Sequence, residues 1–337
     1  MAPLQIQHPP LQRLAHPLLA AKGVELAVLR LDLIHPRVSG NKWYKLKHNI
    51  AALRESGVSR VLSFGGAYSN HLYALAAAGA ALGFETIGCV RGEILEPLNP
   101  VLRFARQQGM ALTALTRAQY RLFRDLPDKL LLSTALETES LRPEAREILE
   151  GIRQNFGEFA LIPEGGGNRM AALGCEEIAT YCNWAIFESN VAPESSARRV
   201  VAICCGTATT MAGVVNGFAQ GNIAAESIPF TQGFSVLRAE GYLSDELCAK
   251  LSHGAADSNW DIDERFDFGG YGKRPRRLRG FVRRFNSATG IPIEPVYTGK
   301  MFYGLWRRIA SGEYPRGTQI IAIHTGGVVE ASPSADA

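Results

Sequence analysis

Lys42 follows a short Ser-Gly-Asn loop and stands at the start of a predicted helix. Apolar residues recur at helical spacing as far as Ser56, and Ser39 or Asn41 could cap the first turn. A partly buried lysine near the positive end of a helix dipole has a lowered pKa, which frees its amine to attack a carbonyl group. We therefore expect Lys42 to bind an aldehyde covalently. The alternative is a solvated basic face, since two further lysines follow on the same helix.

A second candidate site is the loop Gly206–Thr210, which follows the apolar run Arg199–Cys205 and opens another predicted helix. The run reads as a strand buried on both faces. A glycine, three threonine hydroxyls and a helix N-terminus together favour a phosphate group. The loop lacks the lysine of a P-loop and the spacing of a dinucleotide fingerprint, so a nucleotide-binding enzyme is the weaker alternative. The alternative without a ligand is an ordinary capped helix, in which the glycine serves only packing.

Three further glycine-rich segments stand at the ends of predicted strands, namely Gly65–Asn70, Glu164–Asn168 and His324–Gly327. Open α/β sheets bind their ligands at this edge. In the first segment, free amides and the Ser69 hydroxyl could hold a carboxylate, and Asn70 offers a donor to a phenolate. Ordinary turn and cap chemistry would explain each segment alone, but four such strand ends in one chain favour a shared site.

The elements that must position these residues alternate between strand and helix, which predicts parallel, doubly wound sheets in two lobes. Residues 1–20 are expected to form an irregular arm, and residues 125–150 a helix-bearing connection between the lobes. The predicted strands are 25–32, 60–64, 86–90, 110–115, 159–163, 199–205, 228–234 and 319–324. The predicted helices are 42–56, 69–82, 97–108, 170–183, 244–251, 275–287 and 300–309, with a further helix that opens within 206–213.

The composition is that of an ordinary globular protein. The 337 residues include 36 basic and 32 acidic ones, and a net charge of +4 gives little reason to expect a nucleic-acid partner. Six cysteines form no C-x-x-C pair and mostly lie in apolar segments, so we expect no metal site, reduced core thiols and a cytosolic protein. No apolar run is long enough to cross a membrane, and no charged-then-apolar leader opens the chain.

Taken in order, the motifs resemble those of the pyridoxal-phosphate family of 1-aminocyclopropane-1-carboxylate deaminase and D-cysteine desulfhydrase, which shares the fold of the tryptophan synthase β-subunit. The resemblance runs from about Ser39 to Gly327. Lys42 and Ser69 are 27 positions apart (69 minus 42), and Tyr271 and Tyr297 are 26 apart (297 minus 271), as in the family. The shared motifs are G-N-K-x-x-K-L, G-G-x-x-S-N-H, the Gly206 loop, Tyr271-Gly272, V-Y-T-G-K and H-T-G-G.

The resemblance implies a fold type II enzyme, with a large pyridoxal-phosphate-binding domain of residues 1–56 and 157–337, a small domain of residues 57–156, and a homodimer. It implies that Lys42 binds the cofactor covalently and that Ser69, Tyr271 and Tyr297 are catalytic. The implied cofactor-binding residues are Lys42, Asn70, Gly206, Thr207, Ala208, Thr209, Thr210, Thr298 and Thr325. The implied substrate-binding residues are Ser69, Asn70, His71, Tyr271 and Tyr297.

Two positions bear on the substrate. Family members that open the cyclopropane ring have glutamate where this chain has Thr298 and leucine where it has Thr325, whereas D-cysteine desulfhydrases have threonine at both. A carboxylate would keep the pyridine nitrogen protonated and the ring a strong electron sink, whereas a hydroxyl leaves a weaker sink that suits β-elimination. We therefore expect a D-cysteine desulfhydrase. The alternatives are a 1-aminocyclopropane-1-carboxylate deaminase and a cofactor-holding binding protein without turnover.

The chain departs from the family pattern at three places. An Arg-Asp-Asp stretch is replaced by Arg30-Leu31-Asp32, and aromatic residues follow Lys42 directly. After Gly272 the chain reads Lys-Arg-Pro-Arg-Arg, where relatives tend to be acidic or polar. This basic run is expected either to select a more acidic substrate or to serve solubility alone.

Overall fold

A computed structural model describes residues 4–124, 126, 131–132, 141–187, 196–221, 224, 227–252 and 259–327. Two sheets organise these residues, as predicted. The first has six strands in the order β1-β2-β11-β8-β9-β10, and the second has five in the order β5-β4-β3-β7-β6. The strands are β1 Leu11–Leu14, β2 Glu25–Arg30, β3 Arg60–Gly65, β4 Glu85–Arg91, β5 Ala111–Leu115, β6 Leu131–Leu132, β7 Ala160–Ile162, β8 Arg199–Cys205, β9 Phe230–Ser235, β10 Trp260–Asp263 and β11 Gln319–His324.

Each sheet is parallel except at one of its two edges. Strand β1 pairs antiparallel with β2, and β6 antiparallel with β7, while the other neighbours are parallel. The helices connect the strands and cover the sheets. They are α1 Pro17–Lys22, α2 Asn41–Ser56, α3 Asn70–Leu82, α4 Pro100–Gln107, α5 Arg117–Arg121, α6 Pro143–Phe156, α7 Arg169–Thr180, α8 Thr209–Gln220, α9 Tyr242–Cys248, α10 Arg276–Thr289 and α11 Thr298–Ser311.

The start of helix α2 lies against the end of β11. Gly40 precedes the helix with φ +67, and a Cβ there would stand 2.1 Å from the carbonyl oxygen of Thr325. Only glycine has both the conformation and the space for this approach. No side chain caps the helix, so the predicted cap by Ser39 or Asn41 is wrong. The backbone amide of Asn41 instead donates to Thr325 O at 3.1 Å.

Helices α2, α7 and α8 pack closely at small residues. A Cβ on Gly174 of α7 would lie 1.9 Å from the carbonyl oxygen of Tyr44 in α2. A Cβ on Gly213 of α8 would lie 2.4 Å from the carbonyl oxygen of Ala172 in α7. These contacts bring the first turn of α2 and the N-terminus of α8 into one rigid unit, which also holds the candidate site.

Several elements differ from the prediction. The N-terminal segment is not an irregular arm, since it forms β1 and α1. Strand β10 was not predicted, because its four residues Trp260–Asp263 alternate polar and apolar side chains too briefly to stand out. Strand β7 was assigned by sequence to the large domain, but it hydrogen-bonds to β3 in the second sheet. Of the predicted helix-bearing connection 125–150, residues 143–150 form the first part of α6, whereas most of residues 125–140 lie outside the described residues.

The predicted basic run forms the approach to α10 and its exposed face. Arg276, Arg277 and Arg279 are exposed, and the Arg277 guanidinium lies over the Phe268 ring at 5.0 Å. All six cysteines are free thiols. Within the described residues, no helix is both long and apolar enough to cross a bilayer, and no group of His, Cys, Asp and Glu could hold a metal ion.

Candidate active site

The first turn of α2 meets the loop before α8 through hydrogen bonds. Lys42 Nζ donates to Asn41 Oδ1 at 2.9 Å, and Asn41 Nδ2 donates to Thr210 Oγ1 at 2.8 Å. Asn41 therefore connects the Lys42 amine, through two hydrogen bonds, to the loop that the sequence predicts to bind phosphate. Burial lowers the pKa of Lys42, so the fold favours its neutral, nucleophilic form.

Lys45 is a second buried amine, one turn after Lys42, and it also reaches this loop. Its side chain is 3 % exposed, and its Nζ donates to Thr207 Oγ1 at 3.1 Å and to Gly165 O at 2.9 Å. Burial, with a smaller contribution from Lys42, lowers the pKa of Lys45 to about 7. The solvated face considered for these lysines is therefore wrong for Lys45. The i, i+3 spacing from Lys42 is the signal that could have identified it.

The loop itself has the features of an anion site. Ala208 adopts a left-handed conformation with φ 52, and no side chain caps helix α8. The hydroxyls of Thr207 and Thr209 lie 3.1 Å apart. A Cβ on Gly206 would lie 3.1 Å from the Tyr297 ring, so glycine leaves room at this point. Uncapped helix amides, hydroxyl groups and the Lys45 ammonium suit a phosphate dianion.

The small-lobe segment presents Ser69 and Asn70 at the start of α3. Ser69 caps this helix, and its Oγ accepts from the amide of Leu72 at 3.2 Å. The Asn70 amide group lies against the other lobe, because its Nδ2 would be 2.9 Å from a Cβ on Gly327. The structure thus brings the predicted Asn70 and the H-T-G-G segment together across the two sheets.

His71 is buried and faces the strands of the second sheet. Its Nε2 lies 2.8 Å from Ser63 Oγ, which donates its own proton to Ile162 O at 2.8 Å. The Nε2 atom must therefore carry the histidine proton. Burial holds the pKa of His71 well below its usual value, so the ring is neutral.

The two predicted tyrosines form a pair. The hydroxyls of Tyr271 and Tyr297 lie 3.2 Å apart, and the rings meet edge to face with centroids 5.8 Å apart. Burial raises the pKa of both phenols. Both side chains are therefore protonated at neutral pH and are able to donate a proton or a hydrogen bond.

The two predicted threonines have different partners. Thr325 Oγ1 lies 3.1 Å from Cys204 Sγ, whereas Thr298 Oγ1 accepts from the Glu294 amide at 3.0 Å. The Glu294 carboxylate accepts from the amides of Val296 and Thr298 at 2.6 and 2.9 Å, and it lies 3.2 Å from Thr298 Oγ1. Sequence reasoning missed this carboxyl group, because it considered only residues in the motif itself.

The residues present fit one ligand that carries both an aldehyde and a phosphate group. Lys42 supplies a neutral amine, while Lys45 and the loop before α8 supply the donors for a dianion. Sulfate or phosphate alone would use the donors of the loop but not the neutral Lys42 amine. An aldehyde alone would use the Lys42 amine but not the donors of the loop. Asn41 connects the two subsites by its hydrogen bonds to Lys42 and Thr210.

Comparison with known proteins identifies the family. The family model described as "Pyridoxal-phosphate dependent enzyme" matches residues 4–326. A mitochondrial protein of Arabidopsis thaliana, named bifunctional D-cysteine desulfhydrase/1-aminocyclopropane-1-carboxylate deaminase, is 27 % identical over 316 residues. The alignment covers 91 % of this chain and 73 % of that protein.

Solved structures show the same fold. The structure described as an "ACC deaminase homologue" superposes with a TM-score of 0.72 and 25 % identity, over 97 % of this chain and 91 % of the other. A hydrogen sulfide-producing enzyme of Fusobacterium nucleatum superposes with a TM-score of 0.62 over 96 % of each chain. At 13 % identity, the second similarity shows the shared fold alone.

Proposed function

Because the chain belongs to the pyridoxal-phosphate-dependent enzyme family, we propose that it catalyses β-elimination on a small amino acid, namely the desulfhydration of D-cysteine. The cofactor is pyridoxal phosphate. When bound, it supplies an aldehyde that condenses with the substrate amine and a ring that stabilises negative charge at Cα. The protein's own residues bind, orient and move protons around that ring.

Lys42 has two tasks in the proposed reaction. Its amine holds the cofactor before the substrate arrives, and, once released by the substrate amine, it removes the proton from Cα. A neutral amine is required for both tasks, and burial of Lys42 favours that form. Asn41 accepts the hydrogen bond of the Lys42 amine at 2.9 Å and so orients it towards the loop before α8.

Ser69 and its neighbouring amides bind the substrate carboxylate in the proposal. The hydroxyl stands at the N-terminus of α3, where the helix dipole favours a negative group. Ser69 Oγ already accepts one hydrogen bond from the Leu72 amide, so its proton is free to be donated to a carboxylate oxygen.

The tyrosine pair acts at the leaving group. When the bond between Cβ and sulfur breaks, sulfur leaves with the electron pair and needs a proton. Tyr297 or Tyr271 can donate it, because the raised pKa of both phenols keeps them protonated. Water then completes the reaction, so that D-cysteine and water yield pyruvate, ammonia and hydrogen sulfide.

The observation that supports this proposal most strongly is the hydrogen-bonded contact between the Lys42 turn and the loop before α8. The test is to incubate purified protein with D-cysteine, D-serine and 1-aminocyclopropane-1-carboxylate, and to measure pyruvate, 2-oxobutyrate and sulfide. We expect pyruvate and sulfide from D-cysteine. The variant Lys42→Ala should give no product, with Lys47→Ala, on the outer face of the same helix, as the control.

Other outcomes of the same assay support other functions. 2-Oxobutyrate from the cyclopropane substrate would indicate the deaminase, which the name of the Arabidopsis relative also suggests. A protein with the bound cofactor but no product would be a cofactor-holding binding protein. We also retain a homodimer and a cytosolic location as proposals, the second because all six cysteines are free thiols.

A further inference from the structure

Lys300, in the first turn of α11, is a completely buried amine outside the cofactor-binding residues. Its Nζ donates to three backbone carbonyls, at 2.7 Å to Gly270, 2.8 Å to Asp267 and 3.1 Å to Val236. An ammonium group has three hydrogens, so each one has an acceptor. Burial lowers the pKa of Lys300 to about 8, which leaves the charged form dominant at neutral pH.

The three carbonyls belong to segments that border the candidate active site. Gly270 directly precedes Tyr271. Val236 directly follows β9, and its side chain would lie 3.6 Å from a Cβ on Gly206 of the phosphate-binding loop. Lys300 itself follows Tyr297 by three residues in α11. One ammonium group therefore connects three segments. Two of them carry Tyr271 and Tyr297, and the third contains Val236, which lies beside the phosphate-binding loop.

The segment 268–272, which carries Tyr271, depends on such a connection. Phe268 has φ 57, a conformation that a residue with a side chain rarely adopts, and three glycines of the segment also have positive φ. The Asp267 side chain and backbone bind the amides of Gly269 and Gly270 at 2.7 and 3.1 Å, but these bonds lie within the loop itself. Tyr271 is 46 % exposed, so packing holds it only in part.

We propose that Lys300 is a positioning residue that fixes the Tyr271 hydroxyl beside that of Tyr297, by holding the carbonyls of residues 267 and 270. The chemical task of the tyrosine pair rests on the proposed function, but the order of the loop does not. Loss of the ammonium group releases the loop and separates the two hydroxyls. The cofactor remains bound, because Lys42, Lys45 and the threonines of the Gly206 loop keep their side chains, and the Val236 amide still donates to Cys205 O at 3.0 Å.

The first measurement is hydrogen exchange of the holoenzyme, followed by mass spectrometry of peptides that cover residues 264–276. The variants are Lys300→Met, which removes all three donors, and Lys300→Gln, which keeps two hydrogens and a similar volume. The control is Lys250→Met, because Lys250 is also a largely buried amine but pairs with Glu246, four residues before it, and not with the carbonyls that Lys300 binds. We expect at least tenfold faster exchange in this peptide for Lys300→Met, a smaller increase for Lys300→Gln, and no change for Lys250→Met.

The second measurement is a double-mutant comparison with Tyr271→Phe in the desulfhydrase assay. A catalytic group displaced by about 1 Å can cost up to a hundredfold in rate. We expect Lys300→Met and Tyr271→Phe to lower kcat by similar factors and the double variant to be no slower than the worse single one. The cofactor absorption spectrum of each variant should match that of the unchanged protein.

Several results would overturn the assignment. Unchanged exchange at residues 264–276 in a folded Lys300→Met protein would show that the loop does not need the ammonium group. Multiplicative losses in the double variant would show that Lys300 does not act through Tyr271. A Lys300→Gln protein that does not fold would show a role in the whole fold instead. If no amino acid is turned over, the proposed function fails, yet the exchange measurement still tests Lys300.

Discussion

At the scale of single residues, the site is built around two amines that burial affects in the same direction but that serve different purposes. In the proposed site, Lys42 needs its neutral form to attack an aldehyde, whereas Lys45 needs its charged form to bind phosphate. Burial lowers the pKa of both, and that of Lys45 to about 7. A bound dianion beside Lys45 favours its ammonium form, so cofactor binding at the proposed site should increase the fraction of Lys45 that is charged.

Lys45→Met should weaken cofactor binding by about ten- to a hundredfold, because a hydrogen bond to a charged group contributes about 1.5–3 kcal/mol. Titration of the cofactor-free protein with pyridoxal phosphate, followed by tryptophan fluorescence, measures the dissociation constant. Lys47→Met is the matched control, since Lys47, also on α2, forms a partly exposed ion pair with Glu177 of α7 and should change affinity little. Equal effects of the two variants would contradict the role of Lys45.

The contribution of Lys45 should also depend on pH. The pKa of Lys45 is about 7 in the cofactor-free protein, and a bound dianion raises it. Above pH 7, binding must therefore take up a proton, so the advantage of the unchanged protein over Lys45→Met should fall as the pH rises from 7 to 9. The ratio of the two dissociation constants cancels the titration of the phosphate, which is the same for both proteins. A ratio that stays constant over this range would contradict the prediction.

At the scale of elements, the geometry of the site depends on how closely three helices approach. The carbonyl oxygen of Tyr44 in α2 would be 1.9 Å from a Cβ on Gly174 of α7. Because Tyr44 lies between Lys42 and Lys45, any shift of α2 at this contact moves both amines. This contact could not be predicted from the sequence. A single glycine within a helix, outside any motif, does not indicate which other helix packs against it.

Gly174→Ala should therefore destabilise the protein by about 1–3 kcal/mol or more, the usual range for overpacking a core, and should weaken cofactor binding as well. Urea unfolding measures the free energy, and fluorescence titration measures the binding. The control is Gly151→Ala in α6, where an added Cβ has no atom within 4 Å. Alanine there should stabilise the helix by about 0.5–1 kcal/mol. A Gly174→Ala protein as stable as the Gly151→Ala protein would contradict the packing argument.

At the scale of the whole molecule, the alternation of strands and helices predicted two parallel sheets correctly. The long apolar strands β8 and β11 were predicted to the residue, because both are buried and end at glycine-rich turns. Strand β10 and the N-terminal β1 were missed, because edge strands are short and only partly buried. The first turn of α2 was predicted to carry one functional lysine, whereas the fold buries two. Burial of Lys45 arises from contacts with the distant residues Gly165 and Thr207, which no local pattern records.

The central claim is that the Lys42 amine and the loop Gly206–Thr210 bind one pyridoxal phosphate molecule between the two sheets. The most direct test is to reduce the yellow holoenzyme with borohydride, digest it, and locate the phosphopyridoxyl group by mass spectrometry. We predict one modified residue, Lys42, and no modification when Thr207, Thr209 and Thr210 are replaced by valine at limiting cofactor concentrations. A phosphopyridoxyl group on Lys45 or on any other lysine of the unchanged protein would contradict the account.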